Sequence, residues 1–114
     1  MFIAIVEIPS SAGKRTREEA IAGAKKSAPT YLGLDGLICK YYLNGDEGGG
    51  GVYVWENREA AEAWYNDDWW PWMEERFGVR PKLTFYDHHF MVDNQAGGVR
   101  IDGELVPFDQ EAAE

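Results

Sequence analysis

The chain has 114 residues, the size of one domain, and is 45% hydrophobic and 27% charged. Its 20 acidic residues against 11 basic ones give a net charge of −9, which excludes the basic footprint required by nucleic-acid backbones and anionic lipid surfaces. One cysteine, Cys39, excludes an internal disulfide, and no run reaches the roughly 20 apolar residues of a membrane-crossing helix.

Residues 1–8 carry no basic leader, and Glu7 interrupts their apolar run, so a cytoplasmic location is expected. Residues 2–8 (FIAIVEI) read as a β-branched strand ended by Pro9. Thr16 followed by Glu19 is a capping box that opens a helix. That helix is expected to run to about Ala28, with Pro29 stopping it and Ala20, Ile21, Ala24 and Ala28 as its apolar stripe. Residues 37–43 (LICKYYL) and 52–56 (VYVWE) read as a hairpin, with residues 44–51 and their glycine run as a flexible tip. Asn57 caps a second helix over 58–66, and Asp67 or Asp68 opens a continuation over 69–77 that Gly78 closes. Pro71 fits there because it falls in the first turn. Residues 82–92 (KLTFYDHHFMV) read as one long fourth strand, and residues 99–108 as a short hairpin around Asp102-Gly103.

The order β-α-β-β-α-β predicts an α+β chain of the ferredoxin-like kind, with a four-stranded antiparallel sheet. The expected units are residues 1–94 as the domain and residues 95–114 as an acidic C-terminal extension. From Asp93 to Glu114 there are six acids and one base, more than half of the excess charge. Both faces of the strands are apolar, because Ile3, Ile5, Tyr86 and Phe90 alternate with Phe2, Ala4, Val6, Leu83 and Phe85. Two crossover helices cover one face only. The other is expected to meet a second copy of the chain, giving a homodimer; the alternative cover is the tail hairpin.

The segment from Leu34 to Leu43 (LDGLICKYYL), the segment from Gly50 to Trp64 (GGVYVWENREAAEAW), and Phe85-Tyr-Asp through Val92-Asp-Asn94 resemble the YdhR-like monooxygenase family, within a superfamily that includes the antibiotic-biosynthesis monooxygenases. The likeness covers roughly residues 2–94. It implies a dimeric α/β barrel, in which two sheets face each other, and a ligand cavity between sheet and helices in each subunit. It also implies a cofactor-independent monooxygenase acting on an aromatic or polyketide-like molecule, with molecular oxygen as co-substrate. A small-molecule-binding dimer without catalysis and a haem-binding or haem-degrading relative are the alternatives.

Within that frame His88 is the candidate base, since a neutral imidazole can take a phenolic proton and Thr84 and Tyr86 share its side of the strand. His89 lies on the other side, within reach of Asp87. Adjacent strand residues face apart, so the histidines do not form a pair of ligands to one metal, and no metal is expected. Trp64, Tyr86, Tyr42, Trp69, Trp72 and His89 are the candidate substrate-binding residues. Trp70, Met73 and Phe77 read as the core stripe of the last helix, leaving Trp69 and Trp72 for a pocket mouth or an interface. Lys40 reads as an edge-strand lysine that discourages stray pairing. The glycine run matches no phosphate-binding loop, and Cys39 has no catalytic setting.

Overall fold

The computed structural model describes residues 1–108. Its elements are β1 (Phe2–Pro9), α1 (Arg17–Tyr31), β2 (Leu37–Gly45), β3 (Gly48–Trp55), α2 (Arg58–Trp64), α3 (Trp69–Phe77), β4 (Lys82–Asp87), β5 (Phe90–Asp93), β6 (Gly98–Ile101) and β7 (Glu104–Val106). A four-stranded sheet has the order β2-β3-β1-β4, and every pairing in it is antiparallel. The arrangement is α+β and compatible with the expected ferredoxin-like fold.

The capping box forms as the sequence predicts: Glu19 N–H donates to the Thr16 hydroxyl, and Thr16 N–H to the Glu19 carboxylate. Pro29 does not stop α1, which continues to Tyr31. It sits in the last turn, where only the bond to the Lys25 carbonyl is lost, and buried Tyr31 anchors the end. Ile21 is exposed, so the buried stripe of α1 runs instead through Ala24, Ser27 and Ala28 to Tyr31.

The glycines do not form a flexible tip. The turn is confined to Asp46-Glu47, and β3 begins at Gly48. Gly48 and Gly50 have φ of 144° and 138°, a conformation almost confined to glycine. A Cβ at either position would collide with a carbonyl of β1, from Ile8 or Val6. The glycines therefore let the central strand approach β1 closely where Glu7 and Pro9 pair with it.

The helix-side face of the sheet carries Phe2, Ala4, Val6, Tyr53 and Trp55, all buried, and Ala61, Tyr65, Trp69 and Met73 close over them. An irregularity between Leu37 and Cys39 puts Leu37 opposite Trp55, so Leu37 joins the core rather than sharing a face with Cys39 and Tyr41. In α3 the buried phase is Trp69 and Met73, while Phe77 is exposed. Of the expected stripe of Trp70, Met73 and Phe77, Met73 is buried, Trp70 is half-buried behind Trp69, and Phe77 is out of the core. Aromatic residues on nearly every side of this helix hide its phase from the sequence.

The expected strand over 82–92 is two strands in two sheets. Asp87 pairs with Phe2, and His88 N–H donates to the Met1 carbonyl, where the pairing surface of β1 ends. The chain leaves at His88-His89 and builds a second antiparallel sheet, β5-β6-β7. The predicted hairpin around Asp102-Gly103 is its β6–β7 pair, and its third strand comes from residues assigned to the domain by sequence. The radius of gyration is 16.4 Å, against about 13 Å for a compact chain of this length. Part of the far face of the first sheet stays open, with Tyr41, Leu43 and Tyr86 exposed on it.

Candidate functional site

Asn57 caps α2 through its side-chain oxygen, which accepts from Ala60 N–H, and so fixes the rotation that turns Ala61 and Tyr65 inward. Tyr65 accepts a hydrogen bond from the Trp55 indole at 3.3 Å and packs edge-on against Trp69 at 5.0 Å. Burial pushes the Tyr53 and Tyr65 phenols well above their ordinary range, so both stay neutral.

At the corner between α2 and α3, Ala63, Trp64, Asn66, Asp68, Trp69 and Trp72 line a cleft of about 320 Å³. Trp64 and Trp72 meet edge to face at 6.0 Å. The indole N–H groups of Trp64 and Trp69 are buried and have no acceptor among the described residues. Leaving such a donor unpaired costs about 1–3 kcal/mol. Asp68 is the ionisable residue on the wall, and its side chain makes no capping bond to α3.

Beside this cleft lies a second cluster that the sequence reading missed. Lys40 turns into the helix side of the sheet, with Nζ 3.6 Å from the Tyr31 ring centroid, 3.9 Å from Tyr42 and 4.7 Å from Tyr53. Gly51 makes room for it: a Cβ there would lie 3.1 Å from Lys40 Cε. Desolvation, with added repulsion from Arg76, lowers the ammonium pKa to about 7, while the ring faces work the other way by favouring the cation. Lys40 does lie on an edge strand, but an edge lysine that guards against pairing points to water, and this one does not. The available signal was parity. Lys40 shares a face with Tyr42 and stands opposite Tyr53, which the structure buries in the core.

The other sequence candidates are spread out. Trp64, Trp69 and Trp72 come together at the cleft. Tyr42 belongs to the Lys40 cluster, and its hydroxyl is 2.7 Å from that of Ser27 on α1. Tyr86 pairs with Ile3 and is 52% exposed on the far face of the sheet, away from the tryptophans. His88 and His89 occupy the break between β4 and β5 instead of a regular strand. His89 Nδ1 is 3.6 Å from an Asp102 carboxylate oxygen, so its neighbour is Asp102 and not Asp87. His88 is not among the residues lining the cleft. A wider groove of about 580 Å³ runs along the second sheet between Phe90, Val92, Val99, Val106 and Phe108.

Among the described residues, no three His, Cys, Asp or Glu side chains gather closely enough to hold a metal ion, and no helix is long and apolar enough to cross a membrane. No protein-family model matches the chain, and no curated protein matches it. The likeness to the YdhR-like monooxygenases therefore rests on the segments quoted above.

Proposed function

We propose that this chain binds a flat, oxygen-bearing aromatic molecule at the α2–α3 cleft and oxidises it directly with molecular oxygen, as a homodimer. The carrying observation is the aromatic cleft itself, with Trp64, Trp69 and Trp72 on its wall; the indole N–H groups of Trp64 and Trp69, buried and without an acceptor among the described residues, become available to a bound oxygen once the rings turn toward it. Rings stack on a flat phenol, and indole donors stabilise its oxygen more strongly as the anion develops. A phenolate is electron-rich enough to reduce O₂. For a naphthol, the balanced reaction takes one naphthol and one O₂ to one naphthoquinone and one water, so the substrate supplies the electrons. Asp68 accepts the phenolic hydrogen bond at the cleft wall. The homodimer is supported by the far sheet face, where Tyr41, Leu43 and Tyr86 are large apolar side chains left exposed.

Oxygen uptake with 1-naphthol and dihydroxynaphthalenes tests the reading, with tryptophan fluorescence reporting binding. Quenching together with O₂ consumption is expected, and both should fall at least about tenfold in Trp64→Phe, which keeps an aromatic ring but removes the donor. Quenching without O₂ uptake reduces the function to binding. Neither signal with any naphthol overturns it.

A further inference from the structure

The wall of the α2–α3 cleft carries a charge that nothing in the chain balances. Ala63, Trp64, Asn66, Trp69 and Trp72 are neutral, so Asp68 is the one ionisable group among the lining residues. Among the described residues, no Lys, Arg or His lies within ion-pair distance of the Asp68 carboxylate. Asn66, the other polar residue of the wall, is engaged within the corner itself. Its amide donates to the Ala63 carbonyl at 3.0 Å, and its side-chain oxygen accepts from Asp68 N–H at 3.0 Å. A phenolate forming beside the carboxylate is disfavoured by like charge. A cation carried by the bound molecule removes that penalty.

The aromatic walls favour the same charge. Trp64 and Trp72 meet at an interplanar angle of 86°, as two sides of a corner. The face of an indole attracts a cation more strongly than that of any other side chain. Trp72 already receives one, since the Arg76 guanidinium stacks on it at 4.6 Å, and Arg76 is not among the residues lining the cleft. Trp70, packed on Trp69, holds Arg80 in the same way at 4.2 Å. Trp64 holds no cation among the described residues. We infer that the cleft selects an aromatic molecule carrying an ammonium group, which lies against the indoles and pairs with Asp68. The inference rests on the cleft being the aromatic site proposed above, and adds the charge of the molecule it takes. A carboxylate accepts at both oxygens, so Asp68 receives the ammonium at one and the phenolic hydroxyl at the other. The substrate class is a hydroxylated arylalkylamine with those two groups close together. The net charge of −9 draws such a cation toward the protein and repels anionic aromatics.

Calorimetric titration of the full chain near neutral pH compares 1-naphthylmethylamine, 1-naphthalenemethanol and 1-naphthoate, which share a ring system and differ in the charge of one substituent. The amine, protonated under these conditions, should bind at least about tenfold tighter than the alcohol, and 1-naphthoate should bind weakest. Asp68→Asn should cut the amine-to-alcohol ratio to about threefold or less and leave the alcohol unchanged. Asp67→Asn makes the same change in net charge at an exposed residue that does not line the cleft, and should leave the ratio as it was. Trp72→Leu, with an unchanged thermal transition, should weaken the amine more than the alcohol. Equal binding of amine and alcohol overturns the cation assignment and leaves the cleft an aromatic site. A ratio that survives Asp68→Asn, or that falls equally in Asp67→Asn, also overturns it, because the attraction is then that of the whole molecule's charge. Binding of none of the three probes overturns the cleft reading itself, and this inference with it.

Discussion

A half-buried ammonium among tyrosine rings makes stability depend on pH in a definite direction. Lys40 has a pKa of about 7 when folded, against 10.5 as its ordinary value. Between those limits the unfolded chain binds a proton that the folded chain does not, so stability rises with pH across that window. Below about pH 7 both states carry the charge and the full desolvation penalty applies. Lys40→Met should therefore stabilise the protein near pH 6 by about 1–2 kcal/mol, a figure kept small because the ring faces and residual solvent already favour the cation. The advantage should shrink toward zero by about pH 10.5. Urea unfolding at pH 6, 8 and 10 measures it, and a constant difference across the three would remove the desolvated-amine description. Part of this was legible in the sequence. Alternation places Lys40 and Tyr42 on one face of β2. The depth of that face depends on α1, and the continuation of α1 past Pro29 to Tyr31 is not visible from proline chemistry alone.

At the level of elements, β3 depends most on its glycines. Gly50→Ala places a methyl group against the Val6 carbonyl and demands a left-handed φ of an L-residue, so a loss of about 3 kcal/mol or more is expected. Gly23→Ala, in the interior of α1, meets only the mobile end of Arg15 and should stabilise by up to about 1 kcal/mol. Urea midpoints of the two variants should move in opposite directions. An unchanged midpoint for Gly50→Ala would mean that β3 and β1 do not pair in this register. A run of glycines ordinarily signals a loop, because glycine loses the most backbone entropy when ordered. Here close approach between strands outweighs that cost, and only the neighbouring strand reveals it. The helix starts were far easier to read, since Thr16 with Glu19 and Asn57 with Ala60 N–H are interactions between residues three apart.

For the whole molecule, the balance is between apolar strand surface and cover. Helices roof one face of the main sheet, and Tyr41, Leu43 and Tyr86 stay exposed on the other. A chain of 12.9 kDa should therefore sediment at about twice that mass at micromolar concentration. Tyr86→Lys, on the bare face, should shift it toward the single-chain mass while leaving the far-ultraviolet dichroism unchanged, because Tyr86 is 52% exposed and holds up no core. A single-chain mass for the unsubstituted protein at that concentration would overturn the dimer.

The sequence alone determined the order of the main sheet's elements, the starts of α1 and α2, the antiparallel sheet and its two apolar faces. These follow from interactions within a few residues and from the two-residue period of a strand. The tertiary structure decided that the strand after Lys82 divides at His88-His89, that Trp64, Trp69 and Trp72 share one cleft, and that Lys40 turns inward beneath Tyr31. Each depends on a surface contributed by a distant segment: the end of β1, the angle between α2 and α3, and the last turn of α1. Local spacing carries no information about where such surfaces meet, because burial is set by the neighbour that arrives and not by the residue that is covered.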